Sequence, residues 1–283
     1  VFAAVSTPPG ADGTQVTFRQ DLSSLPEGTH KFKLQIDDIY GARKTTSDIY
    51  FVIDKSAPTI ANLSPANGSA KRTDFNITGD ISDTSGLKDL GGAGNVDIEW
   101  SDDGLAYTRV EASAAAPATA ATFSIAISAA SYPADGSQAF YVRATDIYGK
   151  TVVEQIEVLF DRVVPSISFT DPYPAIYDAA LFAGAGGYRV NGSITLKGNA
   201  TDDQTVVTLT TQVGSQAAQN ETNKYSFSRT FDTTDTGTYG HTDLSSLIIE
   251  VVATDAAGNS TTEQYTLYVD QSSDAPTFEL TNM

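Results

Sequence analysis

The chain has 283 residues with 17 Lys+Arg against 35 Asp+Glu, and the formal charge of -18 argues against nucleic acid or an anionic membrane surface as its partner and in favour of cations. It contains no cysteine, so neither a disulfide framework nor a thiolate metal site is available. No apolar run is long enough to span a bilayer, and the first residue is Val with no signal-like start, so the sequence is expected to be an internal or processed fragment.

Taken in order, Val16-Thr17-Phe18 and Phe32-Lys33-Leu34-Gln35-Ile36 alternate apolar with polar residues around the turn residues Leu25-Pro26-Glu27-Gly28, and Ile49, Phe51 and Ile53 form a third alternating run. Residues 1–57 therefore read as the C-terminal half of a repeat. Its inner face needs cover from missing upstream sequence or from a partner chain. After Asp54-Lys55-Ser56-Ala57-Pro58, where proline removes a ladder donor, residues 58–164 read as a complete unit. Its strands are expected at Thr59 to Leu63, at Phe75 to Ile81, around Val96, Ile98 and Trp100, around Phe123, Ile125 and Ile127, around Phe140, Val142 and Ala144, and around Ile156, Val158 and Phe160. Pro65-Ala66-Asn67-Gly68 and Ser101-Asp102-Asp103-Gly104 supply turns. Residues 165–275 repeat the order at Ile194-Leu196, Val207-Leu209, Tyr225-Phe227, Ile249-Val251 and Tyr265-Leu267-Val269, with an insertion at 171–189, and 276–283 begin another first strand. Short strands separated by turns, with no amphipathic helix, spell an antiparallel β-sandwich.

The units share punctuation. Ala144-Thr145-Asp146-Ile147-Tyr148-Gly149 is followed by Asp161 and Pro165; Asp38-Ile39-Tyr40-Gly41 by Asp54 and Pro58; Asp255-Ala256-Ala257-Gly258-Asn259 by Asp270 and Pro276. The aspartates before the glycine turns lie 108 and 109 residues apart, so the chain is an array. This phrase, followed by a strand ending in Asp and a Pro-initiated next unit, resembles the bacterial Ig-like repeats of large secreted surface proteins and adhesins, across essentially the whole chain. The resemblance implies an all-β fold of tandem Ig-like antiparallel β-sandwiches arranged as an elongated array. Val252 to Ser260 match best; Ala42 and Lys150 stand where that match has Asn259, which leaves the turn intact but denies the Asn side chain a shared role.

In such a sandwich the loops after the second and sixth strands lie at the end where the chain enters. Asp54 in the arriving linker, Asp80 and Asp83 after the second strand and Asp146 after the sixth are then expected at one junction; Asp161, Asp202, Asp203 and Asp255 form the corresponding set at the next. Crowded carboxylates repel unless a cation sits among them, and oxygen-only ligands suit Ca²⁺ better than Zn²⁺. Some Ig-like repeats of giant adhesins are stiffened by Ca²⁺ at such junctions, so the resemblance implies the same ion. The competing reading is that each Asp bonds its own backbone as an Asx-turn on an acidic surface. Neither reading is decided by sequence.

Trp100 is placed where the third strand carries a core aromatic, and Tyr40 and Tyr148 are expected to pack against the adjoining unit. The insertion, with Tyr173, Tyr177, Phe182 and Tyr188, reads either as a partner-binding surface or as a lid over the sandwich edge. Asn67, Asn191 and Asn220 are exposed Asn-x-Ser/Thr acceptors for glycosylation, or simply turn residues. His30 and His241 have no paired nucleophile motif and the carboxylates recur with the repeat, so no enzyme is expected. The function expected is a structural or adhesive stalk segment of a cell-surface or secreted protein, with neighbouring repeats or copies of itself as partners. The alternatives are a filament or surface-layer subunit completed by strand donation, a carbohydrate- or protein-binding module, and the accessory region of a secreted hydrolase.

Overall fold

The computed structural model describes residues 20–37, 40–88, 96–110, 118–171 and 188–271, with Asp171, Tyr188 and Arg189 placed as backbone. The first described segment carries β1 (Gly28–Phe32), β2 (Gln35–Asp37), β3 (Arg43–Thr45) and β4 (Ile49–Ile53), in which β1 pairs β4 and β2 pairs β3, both antiparallel. The expected run from Phe32 to Ile36 is thus split between two ladders, because Leu34 leaves the strand and bonds Thr46 through backbone and hydroxyl. Ile36 and Tyr50 are exposed on it. The strand expected at Val16-Thr17-Phe18 lies outside the described residues.

The chain continues through β5 (Thr59–Ser64), β6 (Ser69–Lys71), β7 (Phe75–Ser82), β8 (Ile98–Ser101), β9 (Thr108–Val110), β10 (Ala120–Ile127), β11 (Gly136–Thr145) and β12 (Thr151–Phe160). These build a three-stranded sheet in the order β10-β7-β5 and a five-stranded sheet in the order β6-β12-β11-β8-β9. Period-two patterning explains the layering. In β10, Ala121, Phe123, Ile125 and Ile127 are buried while the residues between them are exposed. They meet Phe140, Val142 and Ala144 of β11 and Ile156, Val158 and Phe160 of β12 in one core. Trp100 packs on the margin of that core, tilted against Phe140, and is only half-buried.

The same plan recurs with β13 (Ser166–Asp171), β14 (Tyr188–Val190), β15 (Ser193–Thr201), β16 (Val206–Val213), β17 (Gln219–Asn220), β18 (Ser226–Asp232), a one-turn helix α1 (Thr236–Tyr239), β19 (Ser245–Asp255) and β20 (Ser260–Val269). The sheet orders β13-β15-β18 and β14-β20-β19-β16-β17 copy the first pair strand for strand. Leu196, Leu209, Ile249, Val251 and Leu267 centre a second core. The fold is all-β, made of Ig-like antiparallel sandwiches in tandem.

Two features sharpen the sequence reading. The short strands β6 and β14 each lie parallel to the last strand of their sandwich, Ser69 opposite Val158 and Tyr188 opposite Leu267, so the segment marked as an insertion ends in a regular strand. Strands of three residues are too short to leave a periodic signal, which is why neither was expected. Gly79 sits opposite Phe123 and Gly198 opposite Phe227, with the ring of each phenylalanine over the bare backbone. With Gly79 and Ile81 facing inward, Asp80 between them must face out.

Candidate metal centre

The loops that close the sandwiches are built by the aspartates themselves. Between β11 and β12, Asp146 N–H donates to the Lys150 carbonyl at 2.9 Å, Gly149 takes φ 86° as the tight turn requires, and Asp146 Oδ1 accepts from the N–H groups of Tyr148 and Lys150, each at 2.8 Å. Between β19 and β20 the copy is close: Asp255 N–H to the Asn259 carbonyl at 3.0 Å, Gly258 at φ 86°, and Asn259 N–H to Asp255 Oδ1 at 2.8 Å. Both aspartates are buried, at 0% and 2% exposure.

The loop after the second strand packs beside each. Asp83 Oδ1 accepts from Ser85 and Gly86 N–H, and the Gly86 carbonyl accepts from Ile147 N–H at 3.1 Å. Asp202 Oδ2 accepts from Gln204 N–H, and the Thr205 carbonyl accepts from Ala256 N–H at 3.1 Å. In the linkers, Asp54 Oδ1 accepts from Ser56 N–H and Asp161 Oδ1 from Val163 N–H. The Asx-turn reading is therefore right for one oxygen of each carboxylate. It leaves the other oxygen over: Asp54 Oδ2, Asp146 Oδ2, Asp161 Oδ2 and Asp202 Oδ1 are all buried without a hydrogen-bond partner. A buried acceptor in that state costs on the order of 1–3 kcal/mol, and more when charged.

The two junctions answer this differently. At the first, the Lys150 ammonium lies 3.2 Å from Asp54 Oδ2 and 3.8 Å from Asp146 Oδ2, an ion pair with both that is not aligned as a hydrogen bond to either. At the second, the equivalent residue is Asn259, whose Nδ2 donates to Asp255 Oδ2 at 2.8 Å and to the backbone carbonyl of Asp161 at 3.1 Å. That neutral amide ties the loop to the linker but leaves the Asp161 carboxylate unmatched. Among the described residues no Lys or Arg forms an ion pair with Asp161, Asp202, Asp203 or Asp255, although Arg72 Nε comes near Gly258. One oxygen each of Asp161, Asp202 and Asp203 fall within 4.8 Å of one another. That is the span of two ligands on opposite sides of a Ca²⁺ at about 2.4 Å each. Burial pushes the Asp161 carboxyl up from its ordinary value, and Asp255, Asp202 and Asp203 push it further against the opposing Val163 N–H. Asp202 is raised as well, again chiefly by burial, with Asp255 and Asp203 adding to it.

No protein-family model matches the chain, and no curated protein does. Among solved structures it is similar to the fibronectin(III)-like modules of Clostridium thermocellum CbhA, at 16% identity over 79% of this chain and 100% of that one, with a TM-score of 0.40. It is similar to a tetra-tandem repeat in the extending region of a large adhesion protein, at 18% identity over 93% of this chain and 62% of that one, TM-score 0.30. A third is a Ca²⁺-stabilised adhesin of an Antarctic bacterium that binds ice, at 16% identity over 86% of this chain and 57% of that one, TM-score 0.34. Likenesses at these scores carry no statement of what this chain does.

Of the other residues singled out in the sequence, Asp80 does not join its junction: it faces outward from β7 and accepts from Asn62 Nδ2 at 2.6 Å. Tyr40 is 89% exposed and Tyr148 48%, and the Tyr148 ring lies 5.9 Å from the Lys150 ammonium. Tyr173, Tyr177 and Phe182 lie outside the described residues, and Tyr188 belongs to β14. Asn67, Asn191 and Asn220 are exposed, with Asn67 Oδ1 accepting from Glu157 N–H. His30 and His241 each bond a backbone carbonyl, of Pro26 and Thr233. The pair sequence reasoning missed is Lys88 with the buried Asp97, 3.2 Å apart beside the Asp83 loop; nothing in the pattern marked it, because Asp97 falls just before a strand that starts late.

Proposed function

We propose that the chain is a segment of a structural or adhesive repeat protein outside the cell or on its surface, in which units 58–164 and 165–275 are joined through acidic loops. A divalent cation of Ca²⁺ type closes the joint at Asp161, Asp202 and Asp203, with Asp255 beside them. The observation that carries this reading is the pair of buried, unpartnered oxygens of Asp161 and Asp202 beside Asp203, with no basic side chain paired to them among the described residues. An all-oxygen, irregular set suits a cation that accepts 6–8 oxygens at roughly 2.3–2.6 Å better than one demanding an ideal octahedron.

The mechanical consequence follows from where each ligand is rooted. Asp161 N–H donates to the Lys71 carbonyl of β6, so this aspartate belongs to the end of the first sandwich. Asp202, Asp203 and Asp255 belong to loops of the second. A cation held by Asp161 together with Asp202 and Asp203 ties the two units together where otherwise their carboxylates repel. The partners of such a segment are neighbouring repeats or copies of itself, and its carboxylates serve a task that recurs with the repeat, not a reaction. Calorimetry and small-angle scattering of the chain in excess chelator and in CaCl₂ test this: removal of the cation is expected to lower the melting temperature and widen the bending between units. Unchanged melting and scattering would remove the idea.

A further inference from the structure

The residue after the loop glycine differs between the two junctions, and the difference does not stand alone. Counting from Gly79 and Gly198, Asp83 corresponds to Asp202 and Thr84 to Asp203; counting from Gly149 and Gly258, Lys150 corresponds to Asn259 and Tyr148 to Ala257. The first junction sets three aspartates (Asp54, Asp83, Asp146) against the Lys150 ammonium, with the Glu27 carboxylate accepting from the Lys55 and Ser56 N–H groups of the linker beside them. At the second, Asp161, Asp202 and Asp203 cluster with Asp255 beside them, and among the described residues no Lys or Arg is ion-paired with any of them, although Arg72 Nε comes near Gly258. Each of the three substitutions points the same way. Lysine supplies a cation, Tyr148 places a ring face near that cation, and threonine in place of Asp203 removes one negative charge from the set.

We propose that the residue after the loop glycine sets the chemistry of each joint: Lys150 is a covalently tethered counter-ion that makes the first junction independent of dissolved cation, while Asn259 leaves the second to capture a divalent cation from solution. This rests on the proposed cation site at the second junction. The geometry supports it directly. Lys150 Nζ reaches both the linker aspartate and the loop aspartate, at 3.2 and 3.8 Å, which is where a bridging ion has to sit. At the second junction the shorter Asn259 stops at the backbone carbonyl of the linker aspartate, leaving Asp161 Oδ2 bare. A metal and an ammonium cannot share that space, and a Coulomb clash between them at a few ångströms would exclude the metal from the lysine junction. Within this chain a joint of fixed stiffness would then be followed by one that answers to the cation concentration outside.

The test is isothermal titration of the metal-stripped 283-residue chain with CaCl₂, together with melting in chelator and in CaCl₂. Wild type is expected to take up a single equivalent with its second junction. Asn259→Lys is expected to take up none and to melt at the same temperature in both media. Thr84→Asp/Lys150→Asn is expected to take up a second equivalent. If Asn259→Lys binds as wild type does and the double variant gains nothing, the switch is overturned while the cation site stands. If wild type itself binds no Ca²⁺, the underlying site falls and the switch with it. The double variant acts at the other loop, so misfolding of Asn259→Lys, read by circular dichroism, leaves the proposal open to refutation.

Discussion

Replacing Asp161 by asparagine separates the cost of its bare carboxylate from its value as a ligand. The side chain is 2% exposed; Oδ1 accepts from Val163 N–H at 3.1 Å and Oδ2 has no partner. Asp161→Asn keeps the first bond, removes the charge that repels Asp202, Asp203 and Asp255, and turns the bare acceptor into a donor facing carboxylates. In chelator the variant is therefore expected to be more stable than wild type, by about 1–3 kcal/mol, the usual penalty for a buried group without a partner. With free Ca²⁺ at about a hundred times the dissociation constant, wild type gains about 2.7 kcal/mol by mass action. A variant that has lost a charged ligand, and with it about a hundredfold in affinity, gains only about 0.4 kcal/mol. Adding Ca²⁺ should move the difference between the two proteins by about 2.3 kcal/mol in favour of wild type. For a unit of roughly a hundred residues that is on the order of 9 °C in melting temperature. Differential scanning calorimetry of both proteins in both media reads it. An identical gap in chelator and in CaCl₂ would mean that Asp161 binds no ion, whatever its effect on stability.

Two further expectations concern the sandwiches. A Cβ at Gly198 would run into both the Phe227 ring and the Ser168 carbonyl, whereas at Gly79 it meets Phe123 Cζ at 2.9 Å and the Ala61 carbonyl at 3.0 Å. Gly79→Ala should cost about 1–3 kcal/mol by overpacking and Gly198→Ala more than that, in urea unfolding followed by circular dichroism; equal costs would sink the distinction. Tyr132 donates to Asp102 Oδ2 at 3.0 Å and stacks on Phe160, and burial first, then that hydrogen bond, push its phenol up to about 12. Its unfolded value is near 10, so the folded form binds the extra proton between the two, and its stabilising contribution is intact below about pH 10 and lost as pH rises through about 12. Tyr132→Phe should show a shallower loss of stability across that window, and parallel curves would refute the assignment.

The strands were legible because most of them bury one face only. Ala121, Phe123, Ile125 and Ile127 inward, with Ala120, Thr122, Ser124 and Ala126 outward, is a pattern that can be read without knowing what lies beneath it. β6 and β14 were not legible, since Ser69-Ala70-Lys71 owes its conformation to the edge of β12 and not to its own side chains. Asp80 was misplaced for a related reason. Proximity in sequence to Asp83 suggested a shared loop, but β7 runs on through Ser82, and one residue of strand is enough to turn a carboxylate to the opposite face.

The junctions show why carboxylate counting from sequence stops short. The Asx-turn and the cation site looked like competing explanations of the same aspartates, but they are compatible: Asp54, Asp146, Asp161 and Asp202 each commit one oxygen to a nearby backbone N–H and leave the other buried without a hydrogen-bond partner. What then decides the chemistry is a residue with no acidic character at all. Lys150 and Asn259 occupy one position in one turn, and in sequence the exchange looks like drift at an exposed loop. Only when the linker aspartate is brought within reach, 3.2 Å from the ammonium in one case and bonded through its carbonyl in the other, does the same position become the choice between an ion the chain carries and an ion it must find.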